Sequence, residues 1–359
     1  MMGFSMQTYK RFSRFLLYFL ILFFLYNAVI WNCFNKRFQG GDLARIGYLY
    51  GVKIIRNKSI DLPRRHVEQE DYKGERIDLL TIGDSFSNGG GEGKNKYYQD
   101  YIASINNIGV MNIQPFKDLD LLTLASVYAN NGYFDSIRPR YILISSVERN
   151  CVIRFSHEID FDRNISMEGF TSLNRIGYRR NKNDIGKGEK EKTFAFINEG
   201  NFKLPLYNVY YNFSDHAFFS KTYKKKLNAS LFSLKDGKTL LFFREDLNSV
   251  AKSNGASIVS LNDNLNRLAD KLARKGIKLI FMPCVDKYNL YSEFIVNNRH
   301  PQSTFFELLR PLPKRYTFID TKSILLKELR KGEKDIFYVD DTHWTWKASQ
   351  KIFETIRFD

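Results

Sequence analysis

Two short strings at opposite ends of the chain hold side chains that together could carry out nucleophilic acyl chemistry. A serine stands at position 85 in Thr81-Ile82-Gly83-Asp84-Ser85-Phe86-Ser87-Asn88-Gly89-Gly90-Gly91, and a histidine at position 343 in Tyr338-Val339-Asp340-Asp341-Thr342-His343-Trp344. A serine hydroxyl is a weak nucleophile near neutral pH unless a neighbouring base takes its proton. An imidazole base in turn needs a carboxylate to hold its tautomer and to stabilise the charge it acquires. Ser85, His343 and one of Asp340 and Asp341 supply all three parts. Either aspartate could be directed at the ring by a short loop, and the other would then cap the helix that follows, whose N-terminus favours a negative side chain. Taken alone, Gly-Asp-Ser is ordinary turn chemistry, and it is the second string that raises Ser85 above a turn residue. His66, His157, His216 and His300 lack a carboxylate beside them at the end of a core element and read as structural.

The elements that must position these residues alternate along the chain. Ile77 to Ile82 is a short apolar run that stops at Gly83, as a buried strand does. Gly109 to Ile113, Tyr141 to Ser146, Ile277 to Met282 and Tyr316 to Ile319 read as further strands. Between them, Leu119 to Tyr128, Ile258 to Lys275 and Thr321 to Lys331 read as helices, and a last helix runs from about Thr345 to Ile356. In the second of these, Leu261, Leu265, Leu268 and Leu272 recur at helical spacing and Gly276 closes the helix. Such alternation predicts an α/β fold, a parallel sheet covered by helices on both faces. A serine after the first strand then faces the crevice at the carboxyl ends of the strands, where open sheets put their sites.

Here the chain resembles a known family. Gly-Asp-Ser-Phe-Ser after the first core strand, with an Asp-x-x-His or Asp-x-His element before the last helix, is similar to the first and last blocks of SGNH hydrolases. Asp341-Thr342-His343-Trp344 resembles the signature of alginate O-acetyltransferases and related polysaccharide O-acetylation proteins. Val147-Glu148-Arg149-Asn150 and Met282-Pro283-Cys284-Val285-Asp286-Lys287-Tyr288, with Tyr291, look like segments of the same group. The likeness covers residues 76 to 359 apart from an insertion. In the alginate enzymes the Asp-His element precedes the serine block, whereas Ser85 comes first here, as in ordinary SGNH hydrolases and the D-alanylation protein of teichoic acids. The Gly block and the Gly-x-Asn-Asp block that usually build the oxyanion hole have no counterpart. The backbone N–H of Ser85 is the expected first donor, with Arg149 or Asn150, which follow the third strand, as the second. The resemblance implies a three-layer, flavodoxin-like SGNH domain and a partner of the multispanning membrane-bound O-acyltransferase type. The chemistry calls for no metal or cofactor.

The rest of the chain bounds the setting. From Phe15 to Phe34 it is apolar for about 20 residues, enough to span the roughly 30 Å hydrocarbon layer. No small-residue cleavage site follows. Lys10, Arg11 and Arg14 precede the run, so the positive-inside rule keeps residues 1–14 cytoplasmic and exports the remainder to the periplasm or cell surface, although Lys36, Arg37 and Arg45 on the far side oppose that orientation. Residues 35–75 read as a stalk and 76–359 as the catalytic domain. Within the latter, residues 151–255 break the alternation, carrying Tyr207, Tyr210, Tyr211, Phe213, Phe218, Phe219 and a Lys224-Lys225-Lys226 run. This insertion is either a solvated decoration or a lid or platform for an acidic glycan. A formal net charge of +16 over 359 residues suits an anionic partner, but the scattered lysines and arginines and the absence of zinc-finger spacing or an aromatic RNA-binding signature argue against nucleic acid. Cys33, Cys151 and Cys284 are too few and too dispersed for a disulfide framework. Cys151 and Cys284 each follow a strand and could pair in an oxidising compartment, but two buried free thiols are the plainer expectation.

Three functions remain open at this point: an anchored O-acyltransferase working on a polysaccharide, an O-acetyl esterase using the same residues with water as acceptor, and a non-catalytic anchored glycan-binding module.

Overall fold

The computed structural model describes residues 6–33, 41–43, 52–58, 60–115, 119–166, 197–217, 220–234 and 237–358. Six strands form one sheet: β1 (Val67–Glu68), β2 (Leu79–Ile82), β3 (Val110–Ile113), β4 (Tyr141–Val147), β7 (Lys278–Cys284) and β8 (Thr317–Phe318). Their order is β1-β3-β2-β4-β7-β8, and every neighbouring pair runs parallel. Apart from the edge strand β1, this is the doubly wound order in which the chain reverses direction across the sheet between β2 and β4, and a crevice opens at that switch point. All four residues of β2 and all seven of β4 are buried, because a parallel sheet with helices on both faces has no wet side to alternate toward. Helices Tyr98–Asn106 and Trp346–Glu354 pack together on one face, with Tyr98 stacked on Phe353. The leucines of helix Gly255–Ala273 pack beside helices Leu121–Asn130 and Glu148–Phe155.

The expected strands and helices recur with small shifts at their ends, but three regions differ. The expected stalk is no free spacer. Its described parts lie on the domain: Val67 and Glu68 add β1 to the sheet beside β3, and the Leu43 N–H donates to the Asp340 carbonyl. The apolar N-terminal helix runs Met6–Cys33, starting nine residues before Phe15 and so including Lys10, Arg11 and Arg14; Phe34 lies outside the described residues. It is long and apolar enough to cross a membrane. The insertion, of which residues 167–196 and Phe218 and Phe219 lie outside the described residues, forms a helix, Gly200–Tyr210, and an antiparallel pair, β5 (Thr222–Lys226) with β6 (Thr239–Phe243). Tyr207, Tyr211, Ala217 and Leu241 of the insertion form a small apolar cluster with Leu43 from the segment after the first helix. Cys151 and Cys284 are both buried and free.

His66 also has a neighbourhood that its sequence context conceals. Its Nδ1 lies 2.7 Å from Asp100 and its Nε2 3.1 Å from Glu68, tying the edge strand to helix Tyr98–Asn106. Burial opposes the charge, but the hydrogen bonds to the two carboxylates outweigh it and push the imidazole up to about 9. A raised value in the folded state means that this stabilisation is complete below the unfolded value near 6.5 and disappears as pH rises through about 9. It amounts to on the order of 3 kcal/mol. Thermal melts between pH 6 and 10 should show this loss, and His66→Gln should flatten it. An unaltered profile in the variant would contradict the assignment.

Candidate active site

Gly83 ends β2, where the chain passes so close to β4 that a Cβ would lie 2.1 Å from the hydroxyls of both Ser145 and Ser87. Only glycine fits. The turn that follows is pinned by Asp84. Its Oδ1 accepts from the Phe86 N–H, and its Oδ2 accepts from the Val147 N–H at 2.8 Å and from Arg154 at 2.6 Å. Asp84 thus joins the end of β2 to the end of β4 and leaves the next residue, Ser85, exposed at the crevice. The glycine run then lets the chain pass under the histidine. A Cβ on Gly90 would stand 2.5 Å from His343 Nε2, and Gly89 has a φ of 68°, in the left-handed region that glycine enters without steric cost.

The second string arrives on the loop before helix Trp346–Glu354. His343 Nε2 lies 2.7 Å from Ser85 Oγ, and His343 Nδ1 lies 2.6 Å from Asp341 Oδ1. Ser85 is exposed, His343 half-buried and Asp341 buried, so solvent access falls from hydroxyl to carboxylate. The ring of His343 rests against Phe86, whose centroid is 4.7 Å away, and Phe86 packs edge-on against Trp344. Burial acts to raise the Asp341 carboxyl, but the hydrogen bond from His343, that imidazole's charge and nearby Arg56 outweigh it and hold Asp341 below the usual carboxylate range.

The two aspartates have different partners. Asp341 faces the imidazole. Asp340 turns away to Arg56 Nη1 at 2.8 Å and to the Gly41 N–H at 2.9 Å. Asp340 does not cap the last helix either: Thr345 does, its hydroxyl accepting from the Lys347 N–H. The reason is competition. Arg56 is buried and bridges both carboxylates, with Nη2 3.1 Å from Asp341 Oδ2, and a buried guanidinium demands such partners. The four side chains Asp340, Asp341, Arg56 and Tyr338, whose ring lies 4.4 Å from the guanidinium carbon, form one packed unit behind the histidine.

Two further residues brace the loop. Asp42 accepts the Thr342 N–H at 2.8 Å and the Thr342 hydroxyl at 2.5 Å. Burial and the charge of Asp341 raise its carboxyl above the usual range. Lys287 lies fully buried, and its Nζ donates to the carbonyls of Tyr338, Val339 and Asp341 at 2.6, 3.0 and 3.0 Å. Burial pulls its ammonium down to about 8 against the opposing pull of Asp340, Asp341, Asp42 and Asp246. Carboxylate oxygens of Asp42 and Asp341 and a ring nitrogen of His343 fall within 4.8 Å of one another, a set whose hydrogen bonds already run among themselves and to Thr342. Lys287→Met would leave the Val339 and Asp341 carbonyls without their donor at about 1–3 kcal/mol each, and the Tyr338 carbonyl with only the Asp341 N–H at 3.4 Å among the described residues. It should lower both the melting temperature and the rate of ester turnover, whereas a variant with wild-type values for both would remove the bracing role.

Of the two expected second oxyanion donors, Arg149 is engaged by carboxylates. Arg149 Nη1 donates to Asp286 at 2.6 Å and Asp246 at 3.2 Å, and its guanidinium lies over Phe243. These carboxylates and the burial of the group direct it into the insertion's base. No hydrogen bond joins Arg149 or Asn150 to Ser85 among the described residues, although Arg149 does follow β4 at the same sheet edge. Among those residues the Ser85 N–H has no protein acceptor. Sequence reasoning missed Asp42, Arg56 and Arg154, which carry no motif. For Asp84 a charged residue between a strand end and a turn was the available signal, and for Lys287 a lysine opening a short helix directly after a buried strand.

No curated protein matches this chain. Residues 237–356, about a third of the chain and the part that ends in the His343 loop and last helix, match the family model described as an SGNH hydrolase-like domain of the acetyltransferase AlgX, so this part of the α/β domain is similar to an SGNH hydrolase-like acetyltransferase domain.

Proposed function

We propose that the chain is a membrane-anchored, extracytoplasmic O-acyltransferase that acetylates a cell-surface or secreted polysaccharide, with Ser85 as nucleophile, His343 as base and Asp341 as the carboxylate that orients it. The observation that carries this reading is the unbroken hydrogen-bonded line Ser85–His343–Asp341 at the switch point of the sheet. The match to an acetyltransferase family supports the acyl group being acetyl.

In the first half-reaction Ser85 Oγ attacks the donor's carbonyl carbon while its proton passes to His343 Nε2. The tetrahedral intermediate then collapses, the donor's leaving group departs with that proton, and an acyl-serine remains. The Ser85 N–H is the first oxyanion donor. In the second half-reaction His343 takes the proton of a sugar hydroxyl, whose oxygen attacks the acyl carbon, and Ser85 leaves with its proton restored. Asp341 stays ionised throughout, stabilising the imidazolium. Transfer requires the sugar to outcompete water at the acyl-enzyme. A groove of about 950 Å³ in the insertion, lined by Tyr211, Phe213, Lys224, Lys226 and Lys238 among others, has the aromatic faces and positive charge to hold an acidic glycan nearby. The apolar helix supports anchoring on a single span, with the acyl donor supplied by a multispanning membrane-bound O-acyltransferase.

The exposure of Ser85 also favours a second reading, an O-acetyl esterase with water as acceptor. Incubation with an activated acetyl ester, with and without glycan, distinguishes them. Acetylated glycan is expected. Acetate release unaffected by glycan would favour the esterase, and inertness toward the ester would favour a non-catalytic glycan-binding module.

A further inference from the structure

The exposed apolar side chains outside the first helix are unevenly distributed. Ile153, Val259 and Val296 are scattered over the domain, whereas Ile197, Phe202, Leu206, Val209, Tyr210 and Phe213 all fall on one helix and its flanks. Phe202, Leu206 and Val209 recur every three or four residues, which puts them on one side of helix Gly200–Tyr210, and Phe213 follows just past its end. Phe213 is 87% exposed. Soluble domains rarely leave such a row to water.

What this helix touches indicates what covers it. Phe202 stacks on Phe23 and Tyr26 of the apolar N-terminal helix, at centroid separations of 6.1 and 5.4 Å. The Tyr26 hydroxyl donates to the Asn201 carbonyl at 2.8 Å. Asn201 Nδ2 donates to Asn27 Oδ1 at 2.7 Å, and Asn27 donates to the Phe23 carbonyl. Asn27 and Asn201 are both fully buried, so each satisfies a polar group that would otherwise be costly away from water. Phe23 lies about 15 Å along the helix axis from Cys33, roughly half the thickness of the hydrocarbon layer. If the first helix crosses the bilayer, a helix bound at Phe23, Tyr26 and Asn27 is inside the leaflet with it.

We infer that helix Gly200–Tyr210 is a second membrane element, which rests on the anchored reading above: it is held to the span by the Asn27–Asn201 pair and buries Phe202, Leu206 and Val209 among phospholipid acyl chains. The bilayer, rather than a protein, covers the row. This fixes the catalytic domain against the membrane instead of leaving it on a loose tether, and it sets the basic groove beside Phe213 at the lipid surface.

The test uses the full chain in phosphatidylcholine vesicles containing lipid spin-labelled on its acyl chains. Cys151 and Cys284 are buried, so with Cys33→Ser an environment-sensitive fluorophore can be attached at single introduced cysteines: Val209→Cys on the row, Val259→Cys as an exposed apolar control, and Phe19→Cys within the span. All three positions are exposed and tolerate a label without loss of packing. The expected result is strong quenching at 19 and 209, with quenching at 209 at least about twofold greater than at 259. Quenching at 19 with 209 no more quenched than 259 overturns the second element while leaving the anchor standing, and protection of 209 only in native membranes would assign the row to a protein partner and overturn it equally. Absence of quenching at 19 overturns the anchor and this inference together.

Discussion

Ser85→Ala should abolish acyl transfer while leaving the fold intact. The side chain is exposed and, among the described residues, its hydroxyl bonds only to His343, so its loss should change stability by no more than about 0.5 kcal/mol. The rate with an activated acetyl ester should fall on the order of 10⁴-fold or more, because no other group can hold the acyl intermediate. His343→Ala should cost as much, and the double variant little further, since nucleophile and base act as one unit. Paired measurements of turnover and thermal denaturation check this. Ser85→Ala retaining turnover within about tenfold of the parent would be incompatible with an acyl-serine.

The two adjacent aspartates should separate by the property each one affects. Asp341→Asn keeps the shape of the loop but offers His343 Nδ1 an amide that no longer fixes the productive tautomer, and a loss on the order of 10⁴-fold in rate follows, with a modest change in stability. Asp340→Asn instead weakens the buried pair with Arg56 at 9% side-chain exposure. Breaking a buried ion pair costs about 3 kcal/mol, so its melting temperature should drop while its rate per folded molecule falls far less. Equal and small rate losses in the two variants would contradict the role of Asp341. A reversed pattern would give that role to Asp340.

Much of this site was legible because the strands of a parallel sheet announce themselves. Leu79–Ile82 and Tyr141–Val147 are short, mainly apolar and fully buried runs, and once the sheet is parallel their carboxyl ends must share an edge. That logic puts Ser85 at the crevice, and the need of a serine for a histidine and carboxylate points to the His343 string as its partner. It could not choose between Asp340 and Asp341, because the choice depends on Arg56, a residue from a polar segment with no periodicity and a distance of 284 positions along the chain. The same segment hid β1: two residues pairing with β3 leave no pattern to read. Arg149 follows β4 at the expected edge, but its ion pairs with Asp246, inside the insertion, and with Asp286, beyond it, were not legible, because they depend on how the insertion folds back on the domain. In the insertion, Thr222–Lys226 makes a strand from three lysines in a row, where pairing with Thr239–Phe243 rather than alternation supplies the order. His66 shows the same limit, because Asp100 reaches it from a helix more than thirty residues away.

The central claim is the covalent one, and intact-mass spectrometry of the full-length protein after brief exposure to an activated acetyl ester or a fluorophosphonate tests it most directly. One adduct should appear, located at Ser85 by peptide mapping. It should be absent in Ser85→Ala and form far more slowly in His343→Ala and Asp341→Asn. An adduct on another residue, or none in a protein that still turns over the ester, would contradict the account.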